Sequence, residues 1–147
     1  MNRFPDVTDA LMESMRVQAA ASAQGFDWDA AAGVLDKVEE EAREIREALE
    51  AGDLEHARRE LGDLLLVAVN LARFLDASPR DVLLGATARF ENRFEALRKA
   101  LDAEGKAIRE CSSEELEAYW QRVKPAADEL LRKRLDTGAP RGANSRP

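Results

Sequence analysis

The chain has 147 residues, enough for one domain with a core but too few for two full domains. It carries 22 Lys and Arg residues against 29 Asp and Glu residues. The resulting net charge of −7 disfavours a protein that binds polymeric nucleic acid through the phosphate backbone. Cys111 is the only cysteine, so no disulfide can form within the chain, and a reducing, cytoplasmic setting is expected. The start lacks a signal-peptide pattern, and the longest apolar run, residues 64–69, is too short to span a membrane.

Helix signals dominate the sequence, and strand signals are nearly absent. Gly52 suits the position after a helix, and Asp53 suits the N-cap of the next one. Ser78 and Pro79 open a further helix in the same manner, and Ser112 or Ser113 opens the last. The predicted fold class is all-α, a helical bundle of four core helices plus an N-terminal helix. The predicted helices cover residues 8–23, 29–50, 54–75, 79–103 and 113–135.

The predicted second helix carries an acidic cluster next to its apolar face. On a helical wheel, the arc that should face the core consists of Val34, Val38, Ala42, Ile45 and Leu49. The adjoining arc consists of Lys37, Glu40, Glu41 and Glu44. This cluster therefore borders the predicted core and does not lie on the solvent side of the helix.

The predicted third helix carries two more carboxylates, Glu60 and Asp63, which are neighbours on one face. Asp63 leads directly into an apolar run, where an ionised carboxylate is costly unless it is paired or binds a metal. A short turn makes the second and third helices antiparallel, so their acidic groups can face each other. Oxygen donors without His or Cys among them favour Mg²⁺ or Mn²⁺ over zinc, and His56 alone cannot form a zinc site.

Three other interpretations compete with a Mg²⁺ or Mn²⁺ site. Glutamate runs on helices are usually solvated, and Glu60 and Asp63 can pair with Arg58, Arg59 or Arg73. A ferritin-like iron protein would need Glu-x-x-His pairs, which a single histidine does not supply. A non-enzymatic helical dimeric interaction module predicts no nucleotide binding and no effect of metal on stability. The two acidic motifs together, beside a core, favour the metal site.

The segments EEEARE, ELGDLL and VNLARFL resemble the MazG family of all-α nucleoside triphosphate pyrophosphohydrolases. The likeness runs from GFDW through ARFENRFEALRKAL to EAYWQRVK, and it is greatest to the C-terminal domain of two-domain MazG proteins, with one such domain present. The expected parts are an N-terminal helix (1–24), a MazG-like domain (25–135) and a disordered, Pro- and Gly-rich tail (136–147). The family signature, E-E-x-x-E followed by E-x-x-D, is here Glu40-Glu41-x-x-Glu44 and Glu60-x-x-Asp63.

The resemblance implies roles for individual residues. The expected ligands of Mg²⁺, with Mn²⁺ as a substitute, are Glu41, Glu44, Glu60 and Asp63. Glu40 is expected to support these ligands or to act as the general base, which completes a catalytic set of five acids. The residues expected to contact the nucleotide are Lys37, Arg59, Arg89, Asn92, Arg93, Trp120 and Lys124. His56 stands where relatives are expected to have lysine, so a phosphate contact there depends on pH.

Each of these side chains also has an ordinary structural role open to it. Arg89 and Arg93 can pair with surface acids such as Glu95, and Trp120 can be a core residue. The loop aromatics Phe26 and Trp28 can fix the loop to the bundle or stack on a base. Asn70 can join a polar network or touch the base.

The resemblance further implies the reaction NTP + H₂O → NMP + pyrophosphate, on ribo- or deoxyribonucleotides, ATP included. A narrower activity, such as that of the related dUTP and dCTP pyrophosphatases, is the alternative within the same fold. We expect a house-cleaning role against canonical, oxidised or deaminated nucleotides. We also expect a homodimer that has no membrane or nucleic-acid partner.

Overall fold

The computed structural model describes residues 7–137, which contain five α-helices, one short 3₁₀ helix and no strand. These residues confirm the all-α class, and the predicted helix boundaries hold to within about two residues. The last residues of the predicted tail, 138–147, lie outside the described residues. The helices are α1 (Val7–Ala23), α2 (Ala31–Glu50), α3 (Leu54–Phe74), α4 (Pro79–Ala103) and α5 (Ser113–Thr137), with the 3₁₀ helix Ile108–Glu110 before α5.

The chain divides into two compact units, Met1–Leu83 and Leu84–Pro147. The first unit contains α1, α2, α3 and the first residues of α4. The second contains the rest of α4, the 3₁₀ helix and α5. Within residues 7–137, no helix combines the length and the apolar character that a membrane crossing requires.

A tight turn joins α2 to α3 in the first unit. Gly52 adopts φ 73°, a left-handed conformation that favours glycine. Its N–H donates to the carbonyl of Leu49 at 3.1 Å, and the N–H of Asp53 donates to the carbonyl of Ala48 at 2.9 Å. Asp53 then caps α3, because its Oδ1 accepts from the N–H of His56 at 2.9 Å. The turn folds α3 back along α2, as the sequence predicts.

The buried face of α2 differs from the predicted arc, and that prediction was wrong for two residues. Ala42 is exposed and Leu49 is 54% exposed, whereas Glu41 is buried together with Val34 and Ala48. Val34, Glu41 and Ala48 follow the heptad spacing of helices that pack side by side. A wheel that ranks residues by hydrophobicity alone does not place a carboxylate on that face, so Glu41 belongs to the buried face of α2 and not to the arc beside it.

The second unit has its own small core. Leu97 and Leu101 of α4 are buried against Tyr119 of α5, and Trp120 packs on them. At the start of α5, Ser112 is the N-cap, because its Oγ accepts from the N–H of Glu115 at 3.2 Å. These contacts fix the α4–α5 pair that carries the predicted basic residues.

Candidate active site

Three carboxylates of α2 and α3 meet in the first unit. Glu41, Glu60 and Asp63 each offer one oxygen, and these oxygens lie within 4.8 Å of one another. Glu41 is buried, Glu60 is half-buried and Asp63 is exposed, so the group runs from the helix interface out to solvent. This geometry is that of an oxygen-only site for a hard divalent cation, open on one side.

One oxygen of Glu41 has no partner. Its Oε1 lies 2.7 Å from Lys37 Nζ, but its Oε2 is buried and, among the described residues, accepts no hydrogen bond. A buried carboxylate oxygen without a partner costs about 1–3 kcal/mol or more. A cation held among the three carboxylates would satisfy this oxygen, so the residues present fit a divalent metal.

Glu44, the fourth predicted metal ligand, stands beside this group and not within it. Burial raises the pKa of the Glu44 carboxyl, and the negative charges of Glu41, Glu60 and Glu40 raise it further. A hydrogen bond with Glu60 adds to the same shift. Without a metal, Glu44 therefore keeps a proton more readily than an ordinary glutamate does.

Lys37 is the principal counter-charge inside the cluster. Its Nζ lies 3.1 Å from Glu40 Oε1 and 2.7 Å from Glu41 Oε1. The hydrogen bonds with Glu41 and then Glu40 raise the pKa of Lys37 well above its usual value, so the ammonium keeps its charge. Lys37 and Glu40 are thus held together next to the candidate metal ligands.

The partner of Glu60 on α3 is a residue that the sequence analysis did not offer to it. His56 Nε2 lies 2.8 Å from Glu60 Oε1, so this imidazole is directed at a candidate ligand. Arg58 pairs instead with the neighbouring Glu55, and Arg59 is exposed on α3.

A polar network lies on the far part of α3, where the sequence analysis offered Asn70 a place in such a network without identifying its partners. Asp27 accepts a hydrogen bond from Arg73 Nη2 at 2.5 Å and another from Ser22 Oγ at 2.6 Å. These hydrogen bonds lower the pKa of Asp27 to about 2, and the one from Arg73 has the largest effect. Arg73 Nε also donates to Oδ1 of Asn70, which is 1% exposed, at 2.9 Å. Asn70 is therefore part of a network that fixes the α1–α2 loop to α3.

The two aromatic residues of this loop have different surroundings. A Cβ placed on Gly33 would lie 2.8 Å from Trp28 Cδ1, so the indole packs directly on the glycine of α2. Phe26 is 82% exposed. Trp28 accordingly fixes the loop to the bundle, and this contact requires that Gly33 have no side chain.

The predicted nucleotide contacts of α4 and α5 lie in the second unit, where several bind other residues of the same unit. Arg93 Nε and Nη2 donate to the two carboxylate oxygens of Asp128 at 2.7 and 2.6 Å. Asn92 Nδ2 donates to the carbonyl of Ala127. The indole of Trp120 contacts the Phe90 ring, with the centroids 5.5 Å apart. The partner of Arg93 is therefore Asp128 and not Glu95, the surface acid that the sequence analysis named.

The region that contains the three converging carboxylates is similar in sequence to a known protein family. The family described as the MazG nucleotide pyrophosphohydrolase domain matches residues 30–97, which include every carboxylate of the cluster. The chain belongs to the MazG family. The match confirms the resemblance that the acidic signature predicts, and it extends through α2 and α3 into α4.

Two curated relatives are similar to this chain over most of its length. The nucleoside triphosphate pyrophosphohydrolase/pyrophosphatase MazG of Thermotoga maritima is 40% identical over 115 residues, which are 78% of this chain and 44% of the relative. The nucleoside triphosphate pyrophosphohydrolase of Escherichia coli K12 is 33% identical over 126 residues, which are 84% of this chain and 48% of the relative. The chain therefore spans less than half the length of the curated relatives it matches.

Proposed function

We propose that this chain is a Mg²⁺-dependent nucleoside triphosphate pyrophosphohydrolase, which converts an NTP or dNTP and water into the monophosphate and pyrophosphate. One observation carries the proposal. The carboxylates of Glu41, Glu60 and Asp63 converge within 4.8 Å inside a MazG domain, with Glu41 Oε2 buried and unpartnered. The names of the two relatives describe the same activity. Mg²⁺ is proposed because every ligand is a carboxylate oxygen.

The residues of the first unit are proposed to have different roles in the site. Glu41, Glu60 and Asp63 would hold the metal, and the ionised form of Glu44 would join them. When bound, the metal would withdraw charge from the phosphate oxygens and lower the pKa of a water molecule. Glu40 is proposed to accept a proton from the attacking water, with Lys37 keeping its carboxylate in place at 3.1 Å. The water oxygen bonds to the α-phosphorus, and the bond from that phosphorus to the leaving pyrophosphate breaks.

The basic side chains of the second unit are proposed to bind phosphate. Arg89 and Arg93 on α4 and Lys124 on α5 supply three positive charges. Charges of this kind stabilise the negative charge that develops on leaving pyrophosphate. Asn92, Trp120 and the exposed Arg59 stay predicted nucleotide contacts.

The test is pyrophosphate release from a panel of canonical, deaminated and oxidised NTPs and dNTPs, each assayed with Mg²⁺ and with a chelator. The proposal expects pyrophosphate and monophosphate in equal amounts, and only with Mg²⁺. The ranking across bases would separate a broad activity from that of a narrow dUTP or dCTP pyrophosphatase. Orthophosphate as the product, or no product from any nucleotide, would overturn the proposal.

Three further expectations stay predictions from the resemblance: a house-cleaning role, a homodimer and a cytoplasmic location. The net charge of −7 supports a free nucleotide over polymeric nucleic acid as the ligand. Light scattering on the purified protein measures the oligomeric state directly.

A further inference from the structure

A carboxylate that the proposed reaction does not use stands among the basic residues of the second unit. Asp128 on α5 accepts two hydrogen bonds from one guanidinium, from Arg93 Nε at 2.7 Å and from Nη2 at 2.6 Å. This paired geometry is the strongest that an arginine and a carboxylate form. The side chains are 18% and 35% exposed, so solvent screens the pair only in part.

Two further cations act on the same carboxylate. The hydrogen bonds of Arg93 hold the pKa of Asp128 below its usual value, and the charges of Lys124 and Arg89 lower it further. Lys124 precedes Asp128 by one turn of α5. Arg89 and Asp128 line the same cavity of about 410 Å³, which Arg132 also lines. One anion therefore serves three of the cations that are proposed to bind phosphate.

The neighbouring charges of α5 are paired elsewhere. Arg132 Nη2 lies 2.7 Å from Glu129 Oε1, and Arg132 Nη1 lies 3.6 Å from Asp136 Oδ2. Glu129 also lies 3.4 Å from Lys133 Nζ. Asp128 is thus distinct from the adjacent Glu129, whose partners are all residues of α5 itself.

We infer that Asp128 is an internal counter-ion, which occupies the phosphate-binding edge of Arg93 until a phosphate group of the nucleotide replaces it. The inference rests on the proposed function, because the incoming anion is a phosphate. A carboxylate and a phosphate use the same two N–H groups of a guanidinium, so they compete for it. Asp128 holds Arg93 in a fixed orientation and, by its charge, weakens the attraction of the cations for phosphate.

The substitution Asp128→Asn removes the charge and keeps the size of the side chain. The KM for the best nucleotide and the dissociation constant of pyrophosphate should each fall by about threefold or more, the effect of one partly exposed ion pair. The value of kcat should not rise. Without ligand, the variant should melt at a lower temperature than wild type, because three cations lose their shared anion. A purely structural role would lower stability alike but would not lower KM.

Two variants serve as controls. Glu129→Gln makes the same change of charge at the next residue and should leave KM and pyrophosphate affinity unchanged. Asp128→Glu keeps the negative charge and should not lower KM. An unchanged or higher KM and pyrophosphate dissociation constant in Asp128→Asn would overturn the inference, as would an equal gain in Glu129→Gln.

The same experiments separate this inference from the proposed function. If wild type releases no pyrophosphate from any nucleotide, the proposed function fails, and calorimetric titration with pyrophosphate still decides the inference. Tighter binding by Asp128→Asn would support it, and the absence of binding to either protein would overturn it.

If Asp128→Asn does not fold, an NMR measurement on wild type tests the inference in its place. It follows the Nε–H resonance of Arg93, which is assigned by its loss in Arg93→Lys. A shift of that resonance on adding pyrophosphate supports the exchange, and no shift contradicts it.

Discussion

The acidic cluster of the first unit and the basic cluster of the second differ in how far their charges are paired within the chain. The basic cluster consists of Arg89, Arg93 and Lys124. Glu41 has a buried oxygen with no partner, and Glu44 sits among carboxylates that raise its pKa. In the second unit, Arg93 donates two hydrogen bonds to Asp128, and the charge of Lys124 also acts on that carboxylate. The contrast identifies what each cluster needs from outside. Glu41 Oε2 has no partner although Lys37 Nζ contacts Glu41 Oε1, so the acids suit a further cation, whereas Arg93 already has an anion that a ligand would have to replace.

The largest effect is expected from removing a metal ligand. Asp63→Asn should reduce pyrophosphate release by about 100-fold or more, because the metal loses a ligand that the amide does not replace as an anion. The helix content measured by circular dichroism should stay the same, since Asp63 is exposed. Asp36→Asn, an exposed aspartate of the same α2–α3 hairpin, is the matched control and should keep wild-type turnover. Near-normal turnover in Asp63→Asn would mean that the acidic cluster does not depend on an added cation, and the contrast with the basic cluster would fail.

A smaller effect is expected at the paired carboxylate of the first unit. The hydrogen bonds of Arg73 and Ser22 lower the pKa of Asp27 from 3.8 to about 2, so the folded state favours the ionised form. The resulting stability is present above pH 3.8 and is lost as the pH falls towards 2. Asp27→Asn should lower the melting temperature at pH 7 by about 3 °C.

Chemical denaturation of wild type and Asp27→Asn at pH 7 and pH 3 tests whether the stabilisation by Asp27 is lost as the pH falls. The difference in the free energy of unfolding should shrink at the lower pH. Asp29→Asn, at an exposed position of the same loop, should show no such difference. If the difference in the free energy of unfolding between wild type and Asp27→Asn were the same at both pH values, Asp27 would stabilise the loop without its charge.

The smallest effect is expected at Glu44, and its sign is opposite to that at Asp27. Burial and three nearby acids raise the pKa of Glu44 above 4.5, so the folded state resists ionisation. The contribution of Glu44 to the stability of metal-free wild type therefore falls as the pH rises through and above 4.5, and Glu44→Gln avoids that loss. At pH 7 without metal, the variant should melt about 1–2 °C higher than wild type, and the gain should vanish below pH 4.5.

Thermal melts with and without Mg²⁺ complete the experiment on Glu44. Mg²⁺ should stabilise wild type more than Glu44→Gln. The control Glu47→Gln, whose carboxylate pairs with Arg43 at 2.9 Å, should not gain stability. A lower melting temperature for metal-free Glu44→Gln would show that the cluster is already balanced without a cation.

Much of this molecule could be predicted from the sequence, for identifiable reasons. Capping residues and apolar spacing are local signals, so they located five helices and the Gly52 turn. The acidic signature located the carboxylates that converge. The burial of Glu41 was not predicted, because hydrophobic periodicity fixes the rotation of a helix only approximately and ranks a carboxylate as exposed.

Ion pairs between distant residues escaped the sequence analysis for a related reason. Arg73 and Asp27 are 46 residues apart, and Arg93 and Asp128 are 35 residues apart. Such pairs depend on the rotation and register of two packed helices, and no local spacing records them. The position of Asp128 one turn after Lys124 is the only local signal that it joins the basic cluster.

Binding of Mn²⁺ to the metal-free protein, followed by electron paramagnetic resonance, tests most directly that the acids form a metal site. The titration should be run on wild type, on Glu41→Gln and on Glu39→Gln, an exposed glutamate of the same helix. Wild type and Glu39→Gln should bind Mn²⁺ alike, and Mg²⁺ should displace it. Glu41→Gln should bind at least about tenfold more weakly, because its buried oxygen no longer carries charge. Equal affinity in wild type and Glu41→Gln would contradict a metal site among these carboxylates.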